Sequence, residues 1–362
     1  MNIVVRADAN HKIGMGHIMR CLSIADAFAS AGHYVSFILA DNTVENLVKD
    51  RGYEISVMNS DYISMEEEKR PSTTPDIIIV DSYFVTAKYL TNLHDKVNTG
   101  GKLVYIDDVY AFPYPVDILV NYNAYSTPEK YDKLYTNASA DKPQMILGPT
   151  YAPLRSMFRG IPHKKQNKVV KDVLISTGGS DELHLALSII RFLLNHQNDG
   201  RRYHFLLGAM NTDKDEIKGM EGDGIVLHEN VSDMKSFICS CDLAVSAAGS
   251  TLYEICACGV PLITYSLADN QIIGAEAFDR LGLGKNAGDL RDPDSTDHNA
   301  VMSGRLRSNA VELILTEAEK LADDYENRVS MGARMQELID GFGAARMVQK
   351  IISFSQTSQA KS

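Results

Sequence analysis

The sequence predicts an α/β protein of two domains, each a parallel sheet covered by helices. Three observations predict it. Short apolar, β-branched runs alternate with amphipathic helical patterns, the signature of strands joined by crossover helices. That alternation starts twice, on either side of a polar segment at residues 161–171. The 362 residues also exceed a single ordinary core and suit two domains of roughly 150 residues each.

In chain order, the first domain is expected to open with a strand at 3–5, a helix at about 17–31 and a strand at 34–39. Strand-like runs follow at 76–80, 103–106 and 118–120. The segment 161–171, IPHKKQNKVVK, is basic and lacks apolar periodicity, so it reads as a linker between residues 1–160 and 172–345. Runs at 173–176, 203–207, 225–227, 243–246 and 261–265 repeat the pattern. A helical stretch at about 312–338 follows, then residues 346–362 as a final helix and polar tail. Open parallel sheets bind ligands at the carboxyl ends of their strands. Two such Rossmann-like sheets are therefore expected to face each other across a ligand-binding cleft.

Composition excludes several classes. Asp and Glu outnumber Lys and Arg 47 to 36, a net charge of −11, which disfavours a broad cationic surface for nucleic acid or anionic lipid. No apolar run is long enough to span a bilayer, and the start, MNIVVRADAN, runs straight into a strand, so a cytoplasmic protein is expected. The five cysteines read as reduced thiols. Cys239 and Cys241, like Cys256 and Cys258, are too closely spaced for a zinc knuckle, so no metal is expected.

Chemistry is expected in the loops after the strands. The first runs from Arg6 and Asp8 through Gly14 and Gly16 to His17 and Arg20. Its glycines allow close backbone approach to a ligand, and the helix starting near His17 turns its free N–H groups toward an anion. The loop lacks a full G-x-G-x-x-G and the acidic partner that follows it, so a nicotinamide dinucleotide is disfavoured. His17 suits a general base near neutral pH, although a histidine here can also simply hold its own loop.

A second loop, Gly178-Gly179-Ser180-Asp181, can cradle phosphate through backbone N–H groups or be a plain turn. The third constellation is Ala248-Gly249-Ser250 opening a helix, with Glu254 one turn on. The helix start suits a diphosphate, and Glu254 can accept hydrogen bonds from ribose hydroxyls or stand in solvent. Asp269-Asn270-Gln271 follows after Gly259-Val260-Pro261.

These segments, in this order, resemble the MurG-type two-domain glycosyltransferases of GT-B architecture. They resemble more closely the PseG family of UDP-2,4-diacetamido-2,4,6-trideoxy-beta-L-altropyranose hydrolases, with its spore-coat polysaccharide relatives. The pattern R-x-D-x4-I-G-x-G-H-x-x-R between Arg6 and Arg20 is the most specific part. Asp81-Ser82-Tyr83, Asp107-Asp108, Asn121-Tyr122-Asn123 and the start of the 248–254 helix support it. The polar stretch 287–307 departs from the pattern.

The resemblance implies hydrolysis of a UDP-linked amino-deoxy sugar in pseudaminic acid or surface polysaccharide biosynthesis, with His17 activating water at the anomeric carbon. It implies UDP as leaving group, no cofactor and no metal. Asp8, Gly14, Gly16, Tyr83, Arg155, Asn270 and Gln271 would contact the substrate. Gly178, Gly179, Ser180, Ala248, Gly249, Ser250 and Glu254 would hold UDP. A glycosyltransferase using a UDP-sugar donor, and a noncatalytic nucleotide-sugar binding subunit, are the competing readings.

Overall fold

The structure, a computed structural model, describes residues 1–362 other than 11–14, 59, 64, 66–74, 98–99, 197–199, 223, 294–304 and 360–362, and only the backbone of 357–359. The chain folds as two units, residues 1–156 with 341–362, and residues 157–340.

The first unit is built on β1 (Asn2–Ala7), β2 (Tyr34–Leu39), β3 (Glu54–Val57), β4 (Ile77–Asp81), β5 (Lys102–Ile106), β6 (Ile118–Asn121) and β7 (Gln144–Leu147). Helices α1 (Gly16–Ser30), α2 (Glu45–Lys49), α3 (Ala87–Val97) and α4 (Pro128–Tyr135) connect them. All pairings are parallel, in the order β3-β2-β1-β4-β5-β6-β7. Central strands such as IIIVD of β4 are buried on both faces, as a continuous β-branched run requires. The edge strand β3, EISV, alternates exposed and half-buried residues.

The second unit repeats the plan with β8 (Asp172–Ser176), β9 (Arg202–Leu206), β10 (Ile225–His228), β11 (Leu243–Ala247), β12 (Leu262–Ser266) and β13 (Lys285–Asp289). Its parallel order is β10-β9-β8-β11-β12-β13. The helices are α5 (Leu185–Asn195), α6 (Lys214–Lys218), α7 (Met234–Ser240), α8 (Thr251–Cys258), α9 (Asp269–Arg280), α10 (Ala310–Asp323) and α11 (Tyr325–Leu338). Each sheet reverses its winding once, between β1 and β4 and between β8 and β11. At such a switch point the loops diverge and leave a crevice beyond the carboxyl ends of the strands.

Unit boundaries differ from those expected. The basic segment 161–171 is an ordered strap of the second unit, held by polar bonds where it has no apolar face. Asn167 donates to Asp242 at 2.7 Å, and Gln166 to the Gly259 carbonyl at 2.8 Å. The fully buried Arg328 donates to the carbonyls of Asn167 and Lys168. At the other end, α12 (Gly343–Gln359) packs on α1 of the first unit. Gly343 lets the start of α12 lie against the chain at Tyr151 and Ala152, since an added Cβ would come 2.1 Å from the Ala152 carbonyl oxygen. The helical stretch at 312–338 is two helices, broken at Asp324, whose side chain accepts from the Asn327 N–H and caps α11. Among the described residues, no helix is long and apolar enough to cross a membrane.

Candidate functional site

In the first unit the chemistry gathers at the switch point. Ala7, the last residue of β1, pairs in register with Asp81, the last of β4. His17 follows in the first turn of α1, and Arg20, three residues on, shares its helix face. These placements put three charged or polar groups over the ends of two adjacent strands.

Nδ1 of His17 lies 2.6 Å from Oδ1 of Asp81, both side chains being almost wholly buried. An ionised carboxylate only accepts, so Nδ1 carries the proton and Nε2 keeps a lone pair. Nε2 makes no hydrogen bond among the described residues. Arg20 donates through Nε to Oδ2 of Asp81 at 2.6 Å and through Nη2 to Oδ1 at 2.5 Å. This is the planar bidentate pairing that arginine favours. Burial by itself would push the Asp81 carboxyl up, but the charge of Arg20 and then the hydrogen bond from His17 hold it well below the usual carboxylate range.

A second carboxylate completes the ring. Asp108, in the loop after β5, accepts from Arg20 Nη1 at 2.7 Å, Asn123 Nδ2 at 2.7 Å and the Tyr83 hydroxyl at 3.1 Å. Arg20 also reaches the Tyr122 hydroxyl at 3.1 Å. Tyr83 stands edge-on to the His17 ring, centroids 4.4 Å apart, and is 44% exposed. A partly exposed aromatic thus borders the catalytic candidate on its open side. The neighbouring Asp107 is wholly buried and takes the hydroxyls of Tyr114 and Tyr131 and the N–H groups of Val109 and Tyr110. It shapes the turn that presents Asp108.

Of the substrate-contacting residues expected here, Gly16 and Tyr83 lie with His17. Gly16 begins α1 and has open space where a Cβ would stand. Gly14 lies outside the described residues. Asp8 is turned inward, holding Arg6 at 2.5 Å and the Ala40 N–H at 2.8 Å. Arg155 is half-buried near the end of this unit's first segment.

In the second unit the two expected nucleotide loops follow β8 and β11, the strands flanking its switch point. They differ in what their helices can offer. After β8, the buried Asp181 accepts from the N–H groups of Leu185 at 3.0 Å and Ala186 at 2.9 Å, and so caps α5 itself. Asp181 and His184 both hold positive φ, 51° and 56°, a shape enforced by these bonds. Gly178, at φ 96°, and Gly179 stay exposed, with Ser180 half-buried. Gly208 presses on their carbonyls, where an added Cβ would come within 2.2 Å of the Gly179 oxygen.

After β11 the arrangement is open. Ala248 donates to the Tyr265 carbonyl at 2.9 Å, which ties the loop to β12. Gly249 and Ser250 are exposed, a Cβ on Gly249 would meet nothing, and no side chain caps α8. The first turn of α8 is thereby open at its N-terminal end. Glu254 is half-buried one turn along. Beyond β12, Asn270 is exposed in the first turn of α9, and Gln271 folds back to accept the Leu267 N–H at 2.8 Å. Buried Arg291 steadies that turn through Asp269 at 2.7 Å.

Sequence reading gave no role to Arg20 and Asp81 beyond their place in motifs. The three-residue spacing from His17 marks Arg20 as its neighbour on a helix. Asp81, a carboxylate ending a run of four aliphatic residues, is the other available signal.

No family model matches the chain. It is 26% identical over 289 residues to a Helicobacter pylori protein named pseudaminic acid cytidylyltransferase and UDP-2,4-diacetamido-2,4,6-trideoxy-beta-L-altropyranose hydrolase, covering 79% of this chain and 48% of that one. It is 29% identical over 195 residues to the Campylobacter jejuni protein named for the same hydrolase, covering 52% and 64%. Over 355 residues it is 20% identical to the Bacillus subtilis spore coat polysaccharide biosynthesis protein SpsG, covering 96% of each. The chain thus spans less than two thirds of the length of both hydrolase-named relatives. Among solved structures, the calicheamicin glycosyltransferase CalG4 superposes with a TM-score of 0.63 at 14% identity, covering 97% of this chain and 98% of that one. Acinetobacter baumannii MurG gives 0.62 at 12%, covering 97% and 99%. By sequence the chain is a relative of proteins named UDP-2,4-diacetamido-2,4,6-trideoxy-beta-L-altropyranose hydrolase and SpsG, and its two Rossmann-like units carry the GT-B glycosyltransferase fold.

Proposed function

We propose that this protein hydrolyses a UDP-linked amino-deoxy sugar, with UDP-2,4-diacetamido-2,4,6-trideoxy-beta-L-altropyranose as the substrate suggested by the names of its relatives. The carrying observation is the buried His17–Asp81 pair with Nε2 of His17 unengaged among the described residues. In this reading Nε2 takes a proton from water as its oxygen attacks the anomeric carbon. The bond from that carbon to the diphosphate oxygen breaks, and UDP leaves. Asp81 fixes the ring and its tautomer and balances the imidazolium that forms, the role a buried carboxylate plays beside a catalytic histidine.

Arg20 and Asp108 hold the pair and Tyr83 in place, and Tyr83 and Asn270 are assigned to the sugar, with Asp8, Gly14, Gly16, Arg155 and Gln271 in the substrate-binding set. The diphosphate is assigned to the first turn of α8 at Gly249 and Ser250, with Ala248, Gly178, Gly179 and Ser180 beside the nucleotide and Glu254 on the ribose. The dipole at the start of α8 supplies positive potential for the leaving group without a metal ion. No cofactor is invoked.

The test is incubation of the protein with a panel of UDP-amino-sugars, without acceptor or metal, following UDP by chromatography. Release from the diacetamido-trideoxy-altrose compound supports the reading. Release only when an acceptor is added would replace it with glycosyl transfer, and UDP binding without turnover would replace it with a binding subunit.

A further inference from the structure

The second unit contains a cavity of about 400 Å³ that the proposed reaction does not use. Its lining includes Cys239 of α7 and Cys258, the last residue of α8, together with Arg159, Lys164 and Lys235. None of its described lining residues is acidic.

The helices that carry them, α7 and α8, pack on each other, so both thiols face the same cavity. Lys164 reaches over them, its Nζ donating to the Cys239 carbonyl at 2.7 Å, and the Cys258 thiol points back to the Lys235 carbonyl. The Nε of Arg159 is buried without a hydrogen-bond partner among the described residues. Cys258 is fully buried, whereas Cys239 is half-buried and so can be reached.

We propose that Cys239 and Cys258 form a reactive dithiol, in which Cys239 attacks a small anionic disulfide drawn in by Arg159, Lys164 and Lys235, and Cys258 resolves the product. In the first step the Cys239 thiolate bonds to one sulfur of R–S–S–R and expels RS⁻. In the second, Cys258 gives its proton to solvent, bonds to the Cys239 sulfur and expels the other RS⁻. The protein dithiol is oxidised by two electrons to an intrachain disulfide, and the small disulfide is reduced to two thiols.

The environment divides the roles in the same sense. The neighbouring Cys258 thiol, helped by Lys164 and Lys235 and opposed by burial and Asp233, brings the Cys239 thiol down to about 7. The neighbouring Cys239, and burial, push the Cys258 thiol far up. Burial pushes Cys241 up to about 12 and raises Cys21 and Cys256 as well, which makes them poor nucleophiles. The site is independent of the proposed hydrolysis.

The full chain is incubated with oxidised glutathione at neutral pH and mapped by mass spectrometry without reduction. The expected product has lost two hydrogens and carries one disulfide, between Cys239 and Cys258. Cys258→Ala is expected to stop at one glutathionyl group on Cys239, and Cys239→Ser to gain none. Because Cys258 is buried, a second measurement uses the unaltered protein, where limiting iodoacetamide is expected to label Cys239 before the other four cysteines. First modification of Cys21, Cys241 or Cys256, a glutathionyl group that persists on Cys239 while Cys258 is present, or no modification at all would overturn the proposal.

Discussion

Asp81 binds His17 and Arg20 at once: Oδ1 lies 2.6 Å from His17 Nδ1 and 2.5 Å from Arg20 Nη2. One carboxylate therefore sets the tautomer of the histidine and satisfies a buried guanidinium. Asp81→Asn keeps the shape but removes the charge and permits the wrong tautomer. Turnover is expected to fall by about 10²- to 10⁴-fold, with the substrate's KM little changed. Breaking a buried pair also costs about 3–5 kcal/mol of folding stability, to be read by urea denaturation at pH 7. A variant that kept full activity would remove Asp81 from the account.

His17→Ala separates chemistry from binding. Turnover is expected to drop by about 10²- to 10⁴-fold, the usual worth of a general base. Calorimetry is expected to give UDP affinity equal to that of the unaltered protein, because the nucleotide is assigned to the second unit. Loss of UDP binding together with turnover would show that His17 is not purely catalytic.

Gly249 tests the diphosphate assignment. A Cβ there meets nothing, so Gly249→Asp is expected to leave the melting temperature unchanged. Its carboxylate would occupy the start of α8 and repel a phosphate, lowering UDP affinity by about tenfold or more, equivalent to about 1.4 kcal/mol. Unchanged UDP affinity in a folded Gly249→Asp protein would move the diphosphate elsewhere.

Asp181 gives a pH signature in the second unit. Its burial outweighs the N–H groups it accepts and raises its pKa to about 6, against about 3.9 in an unfolded chain. A carboxyl raised on folding contributes stability that is fully present below pH of about 4 and is lost as pH rises through about 6, up to about 3 kcal/mol. Asp181→Asn removes this titration. Urea denaturation at pH 5 and pH 7 is expected to show a smaller decline in the variant than in the unaltered protein, and equal declines would contradict the shift.

Much of this was legible before the structure. Central strands such as β1, β4 and β11 are continuous apolar runs because both faces are covered, so periodicity found them. The edge strands β3, β7 and β13, sequences EISV, QMIL and KNAGD, bury little and carry no such signal. The strap at 161–171 has the composition of a linker, yet side chains distant in sequence, Gln336, Asp242 and Arg328, hold it. His17 and Gly249 could be singled out because each opens a helix after a strand. What the sequence could not give was the inequality of the two glycine loops, which turns on Asp181 spending its carboxylate on α5. The convergence of Arg20, Asp81 and Asp108 was equally hidden, since it depends on which strands become neighbours.

In the proposed reaction, water attacks the anomeric carbon under the control of His17. This step is tested most directly by running the reaction on UDP-2,4-diacetamido-2,4,6-trideoxy-beta-L-altropyranose in ¹⁸O-labelled water without an acceptor and weighing the released UDP. Cleavage at the sugar carbon predicts UDP free of label, formed by the unaltered protein and lost in His17→Ala. Label in the UDP phosphate, or UDP formed equally well without His17, would contradict it.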